Sequence, residues 1–310
     1  QSLNDIKVDM SQKMVISAVK GMIPDENLLV TEYMHKHFNV PVENLGVIAG
    51  PCHAEEIALE RLSYLTVGCQ DKDKAIEWSK LFDTPYVRTT PSNDVEGLEY
   101  ASVMKNIYAI AAGICKSLHY GDNFQAVLLT NAMHEMIRFT KAKADIQRDI
   151  TDSGYLGDVL VTAYSNFSRN RQFGQMIGMG YSVKAAQTEM EMVAEGYYGT
   201  KAIHLANKTM GVDIPIVEAM YQILYKRKSP KTTIKEIAIS KSASTKTAIV
   251  FQVKLVFGVL FSINFMRCIT PEIGLYSKRT KPTFMQDFTA LKGRSNVGII
   301  DFTVSTSTPI

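Results

Sequence analysis

At 310 residues, with 46% apolar and 21% charged side chains, the chain is long enough for two domains of ordinary size and has the composition of a globular protein with a large core. Cys52, Cys69, Cys115 and Cys268 form no CxxC pair and stand beside no histidine cluster. That argues against bound metal and a disulfide framework, and for the reduced thiols of a cytoplasmic protein. The net charge of +3 is unevenly spread: residues 241–310 hold nine Lys/Arg against three Asp/Glu, so residues 1–240 are net acidic and nucleic acid is a poor main partner.

In chain order, Met14–Ala18 reads as a buried strand ending at Lys20-Gly21, followed by a helix carrying Leu28, Leu29, Tyr33 and Met34. Val47-Ile48-Ala49 is a second strand ending at Gly50-Pro51, with a short helix over Ala54–Leu59. Strands at Leu65–Val67 and Tyr86–Arg88 flank a charged helix over Lys72–Phe82. Strand–helix alternation predicts a mostly parallel, doubly wound sheet, and in such sheets the loops after the strand ends line the ligand crevice. Lys20-Gly21 and Gly50-Pro51 both lie at such ends. From Gly97 the pattern turns helical, with apolar steps at 104, 108, 111 and 115, then a helix over 123–141. Shorter helices are expected over 158–165, 169–179, 182–193, 197–210, 215–225 and 231–239. The expected organisation is an α/β domain over 1–92, an all-α domain over 93–240 and an unassigned tail over 241–310. The apolar stretch Ile249–Phe265 is broken by Gln252, Lys254, Ser262 and Asn264, which weakens it as a membrane span. No basic flank leads into an apolar run at the N-terminus, so no signal peptide is expected.

Chemistry-bearing residues are few. Lys105 and Asn106 stand in an otherwise small, apolar helix. A buried lysine needs partners and has its pKa lowered toward the range useful for proton transfer, whereas a surface lysine would simply snorkel. Asp158 and Thr162 share one helix face four residues apart, and Asp158 after Gly157 also suits a simple helix cap. Ser168-Arg169-Asn170-Arg171 opens a helix whose free N–H groups and dipole suit an anion, or it is an ordinary capped polar turn. Gly50-Pro51-Cys52-His53-Ala54 is a turn letting backbone approach a ligand. His53 there reads as structural or solvated, and Cys52 has nothing to orient it as a nucleophile.

Taken together, Ser17–Gly21, Ile48–Pro51, Val103–Ile110, Gly157-Asp158, Ser168–Gly174 and Val193–Gly196 resemble, in order, segments of the bacterial NAD(P)-dependent glycerol-3-phosphate dehydrogenases. The resemblance spans roughly residues 1–240. It implies a partial Rossmann-like domain plus a helical domain of the 6-phosphogluconate dehydrogenase type. It also implies interconversion of sn-glycerol 3-phosphate and dihydroxyacetone phosphate with NAD or NADP, feeding glycerophospholipid synthesis, in a homodimer away from the membrane. By that resemblance Lys105 is the proton acceptor from the C2 hydroxyl. Lys20, Gly50, Cys52, Asn106, Asp158, Thr162, Ser168, Arg169 and Asn170 bind substrate, and Ala54, Arg169, Val193 and Glu195 touch the dinucleotide. Cys52 departs from the Ser or Thr frequent in the family.

The family's glycine-rich GxGxxG turn, which holds the cofactor pyrophosphate, occurs nowhere in this chain, and the chain does not open with Met. Two alternatives follow: an inactive fragment keeping a helical substrate-binding or dimerisation module, and a related dehydrogenase for another hydroxy acid or sugar phosphate. The expectation is weak NAD(P) binding by these 310 residues. Titration with NADH, followed by nicotinamide fluorescence, tests it, and micromolar binding would overturn it.

Overall fold

The computed structural model describes residues 8–24, 26–190 and 194–244, with the side chains of 239–244 excepted. The tail over 245–310, including Ile249–Phe265, lies outside the described residues. Four strands form one sheet in the order β1 (Val15–Ser17), β2 (Leu45–Ala49), β3 (Ser63–Cys69) and β4 (Val87–Ser92). The β1–β2 and β3–β4 pairs are parallel, as the mostly parallel expectation requires, while β2 and β3 run antiparallel. The reason lies in the connection. Between Ala49 and Ser63 the only helix is α2 (Ala54–Ala58), too short to cross the sheet, so the chain turns back at the end it left. By contrast α1 (Val30–Phe38) and α3 (Lys72–Phe82) are long enough to carry crossovers.

α4 (Val95–Ser117) is the axis of the fold. It is apolar all round rather than on one stripe, and it is buried from Gly97 to Cys115. A helix of that kind must be covered on every side. α5 (Asp122–Lys143), α6 (Asp158–Tyr164), α7 (Arg169–Gly178), α9 (Glu195–Met210) and α10 (Pro215–Leu224) pack on it, together with β2. α8 (Val183–Glu189) follows α7, and α11 (Pro230–Ser244) closes the described helices. The main core runs through this contact from Val47 and Ala49 in the sheet to Ile223 and Leu224 in α10, and the described residues up to Lys241 form one compact unit. A smaller core of Val67, Cys69, Ala75 and Trp78 lies under α3.

The start of α4 is anchored by charge. Asp94 caps the helix through the Gly97 N–H at 3.0 Å. Arg148 grips the same carboxylate in a two-pronged ion pair, and the Tyr155 hydroxyl donates to it as well. Tyr155 belongs to a π-helical turn, Ser153–Gly157, that runs straight into α6. The anchor therefore fixes where α6 begins relative to α4.

α4 and α7 cross in backbone contact. A Cβ on Gly113 would fall 2.1 Å from the Arg171 carbonyl oxygen, and one on Gly174 would fall 2.1 Å from the Ile110 carbonyl oxygen. Neither neighbour is a flexible side chain, so the helices would have to separate. Gly174→Ala is expected to lower stability by about 3 kcal/mol, the upper end of ordinary overpacking costs. Urea denaturation measures it, and a change near zero would mean that the crossing is not tight.

Candidate active site

Three segments that the sequence places far apart meet at the end of the sheet. Lys20 follows β1, Gly50 ends β2, and Asp158 opens α6. Gly50 has φ +112°, and a Cβ there would sit 2.7 Å from the Tyr64 carbonyl oxygen, so only glycine fits. Its N–H donates to Asp158 Oδ2 at 3.1 Å, and its carbonyl accepts from Lys20 Nζ at 3.3 Å. Lys20 Nζ also lies 3.4 Å from Asp158 Oδ2. The other carboxylate oxygen, Oδ1, pairs with Lys105 Nζ from the middle of α4. The Thr162 hydroxyl donates to the Asp158 carbonyl at 2.6 Å.

Lys105 is 5% exposed and Asp158 is 2% exposed, so the snorkelling alternative for Lys105 does not hold. Nor is Asp158 a simple helix cap. Gly157 is already helical, and the Asp158 carboxylate is taken up by Lys105, Lys20 and the Gly50 amide. Burial drives the Lys105 pKa down to about 7, with the Lys20 charge pushing the same way and Asp158 opposing. Burial pushes the Asp158 carboxyl up, but the Lys105 and Lys20 charges outweigh it and hold the pKa below the ordinary carboxylate value.

A cavity of about 500 Å³ opens on this cluster. It is lined by Lys20, Cys52, Lys105, Asn106, Asp158 and Thr162 together with Ser168, Arg169, Asn170 and Glu195. Ala54, at the start of α2, lines it as well. Ser168 to Asn170 form the start of α7. Ser168 caps that helix, its hydroxyl accepting the Arg171 N–H at 3.3 Å. Asn170 Oδ1 accepts the Gly196 N–H at 2.8 Å, so its amide NH₂ is the half left to meet a ligand.

Some residues stand differently from the expectation of direct contact. Gly50 is not in the cavity wall, and both its backbone groups serve the Lys20–Asp158 cluster. Asn106 lines the cavity, but its amide donates to the Lys20 carbonyl at 3.0 Å and braces that loop. Cys52 is in the wall with its thiol pKa raised by burial, which leaves it protonated and unsuited to nucleophilic attack. Val193 lies outside the described residues. Phe167 is in the wall although the sequence offered no reason to assign it, and His53, only a weak candidate in the sequence, is there too. The turn following β2 was the one signal for His53. Among the described residues no cluster of three His, Cys, Asp or Glu could hold a metal ion.

Comparison with known proteins shows which family the sequence and the fold match. The family description "NAD-dependent glycerol-3-phosphate dehydrogenase C-terminus" matches residues 94–235, and its N-terminus counterpart matches residues 2–75. The glycerol-3-phosphate dehydrogenase (NAD(P)+) of Clostridium botulinum (strain Eklund 17B / Type B) is 35% identical over 233 residues, covering 75% of this chain and 70% of that protein. That of Limosilactobacillus reuteri is 34% identical over 241 residues, covering 76% and 71%. Among solved structures, the glycerol-3-phosphate dehydrogenase of Coxiella burnetii superposes with a TM-score of 0.67 at 28% identity, over 72% of this chain and 68% of that one. The Plasmodium falciparum enzyme, at 24% identity and a TM-score of 0.65 over 76% of this chain and 67% of that one, shares the fold.

The site electrostatics fix the sign of two substitutions. Lys20→Met removes a like charge and should raise the Lys105 pKa, whereas Asp158→Asn removes the opposite charge and should lower it further. Titration of the ¹⁵N-labelled lysine amine by NMR reads both, and shifts of the reverse sign would refute the charge arrangement.

Proposed function

Because the chain belongs to the NAD-dependent glycerol-3-phosphate dehydrogenase family, we propose that its cavity takes sn-glycerol 3-phosphate or dihydroxyacetone phosphate with the reacting carbon against Lys105 and the phosphate against the start of α7. The chain is an oxidoreductase of that family, with NAD or NADP as its cofactor. The observation that carries the reading is the shared cavity. A buried lysine and a helix start with an arginine open on the same space.

In the oxidation direction the neutral Lys105 amine takes the C2 hydroxyl proton. In reduction the ammonium returns it to the C2 oxygen. A lysine pKa brought down toward neutrality by burial suits both directions, because it makes the neutral amine accessible without removing the ammonium form. Asp158 orients the amine, and Lys20 keeps Asp158 charged while lowering the pKa of Lys105. The phosphate meets the free N–H groups of α7, the Arg169 guanidinium, the Ser168 hydroxyl and the Asn170 amide. Ala54, Arg169 and Glu195 line the same cavity, which is larger than a three-carbon phosphate alone requires, so these residues fit a nicotinamide placed beside the substrate. When bound, that group supplies the hydride acceptor or donor. The reading also carries a homodimeric assembly in the cytoplasm. The free thiols of Cys52, Cys69 and Cys115 suit a reducing compartment, and among the described residues no helix is long and apolar enough to cross a membrane.

Lys105→Met should lower kcat by about 10²–10⁴-fold with a smaller effect on KM, since the lost group acts on the proton in flight. Arg169→Lys should raise KM for dihydroxyacetone phosphate by about 10–100-fold, the worth of a charged hydrogen bond of ~1.5–3 kcal/mol. NADH consumption measures both. Unchanged kcat in the first variant would remove Lys105 from the chemistry.

A further inference from the structure

One polar side chain in the cavity wall has no task in the proton exchange or in the phosphate grip. His53 sits in the turn between β2 and α2, and its carbonyl accepts the amides of Glu56 at 3.0 Å and Ile57 at 3.1 Å, so its backbone is fixed. Its ring is tilted against Phe167 with centroids 6.4 Å apart, and Phe167 directly precedes the phosphate-facing Ser168. The ring also stands within reach of the Lys105, Asp158 and Lys20 charges. It therefore lies beside Phe167 and under the influence of the charged cluster. Yet Nε2 is shielded from solvent and has no hydrogen-bond partner. Buried polar atoms are rarely left in that state, and those that are call for a reason.

The substrate supplies one, and the argument here rests on the reading of the preceding subsection. Glycerol 3-phosphate presents three polar groups. The phosphate is met by α7 and the C2 oxygen by Lys105, while the other polar groups of the wall are taken up within it: Lys20 donates to Gly50 and Asp158, Asn106 to the Lys20 carbonyl and Thr162 to the Asp158 carbonyl, so the terminal C1 hydroxyl has no partner yet assigned. The His53 ring lines the cavity, and its Nε2 has no hydrogen bond to give up in meeting a ligand there. We propose that His53 is the specificity residue for the terminal hydroxymethyl group, with Nε2 hydrogen-bonded to the C1 hydroxyl of the bound triose phosphate. Burial and the Lys105 charge lower the ring's pKa and so favour its neutral form, in which one ring nitrogen donates while the other accepts.

The test compares two ligands by calorimetric titration of the full chain: glycerol 3-phosphate, and propane-1,2-diol 1-phosphate, which lacks only that hydroxyl. The unsubstituted chain should favour glycerol 3-phosphate by about tenfold, the scale of one well-made hydrogen bond. In His53→Phe the preference should fall to about one, and His53→Gln, which keeps a donor, should restore part of it. A preference that survives in both variants, or equal binding by the unsubstituted chain, overturns the assignment. Should the unsubstituted chain bind neither compound, the substrate reading itself fails and the role of His53 with it. ¹⁵N NMR of the imidazole in the unsubstituted chain gives an answer independent of variant folding. Glycerol 3-phosphate should shift the His53 Nε2 resonance where propane-1,2-diol 1-phosphate and inorganic phosphate do not. Equal shifts with all three would count against the contact.

Discussion

The structure is organised around a buried ion pair between Lys105 and Asp158. Two charges removed from water are tolerated only when further polar groups complete their hydrogen bonding. Here the completion comes from two directions: the Gly50 amide at the end of β2 and the Lys20 amine after β1. Sheet, central helix and helical domain are thus joined at one carboxylate. Removing Asp158 or Lys105 would strand the other charge, which explains why so many backbone details, from the left-handed Gly50 to the π-helical turn before α6, serve this point.

The anchoring of α4 shows the same logic at its far end. Asp94 collects the Gly97 amide, the Arg148 guanidinium and the Tyr155 hydroxyl, and so ties the helix start to the turn that delivers Asp158. Lys105 lies about three turns further along α4. A helix buried from Gly97 to Cys115 and held at its start offers the lysine little freedom, as the proposed proton exchange at a defined atom would demand.

Much of this was legible in the sequence, for identifiable reasons. The helices over 98–118 and 123–141 and the shorter ones after 158 were marked by apolar residues three to four apart, and the structure returns them with ends moved by a few residues. The α4 start moved to Val95 because Asp94 caps it. Lys105 and the Ser168–Asn170 group stood out because charged or polar residues broke an apolar or capping pattern. What the sequence left open were relations between distant segments. Whether Lys105 snorkels or pairs depends on Asp158, 53 positions away. Whether Asp158 caps a helix depends on Gly157, whose backbone is set by the preceding turn. The antiparallel β2–β3 pair follows from a connection too short to cross the sheet, and alternation alone does not report that. His53 looked like an ordinary turn residue because the missing partner of a nitrogen is a property of three-dimensional surroundings.

The glycine-mediated crossing of α4 and α7 has a consequence for ligand size. Lys105 is carried by one of these helices and the Arg169–Asn170 clamp by the other, and backbone contact at Gly113 and Gly174 leaves no slack between them. On the proposed reading, the spacing between the residues that would meet the phosphate and the lysine that would exchange the proton is set by this main-chain contact, like the opening of a caliper. Under that reading a phosphorylated alcohol whose reacting carbon lies one bond nearer to or farther from its phosphate would span the wrong gap, and chain length would be gauged by the main chain rather than by a side chain.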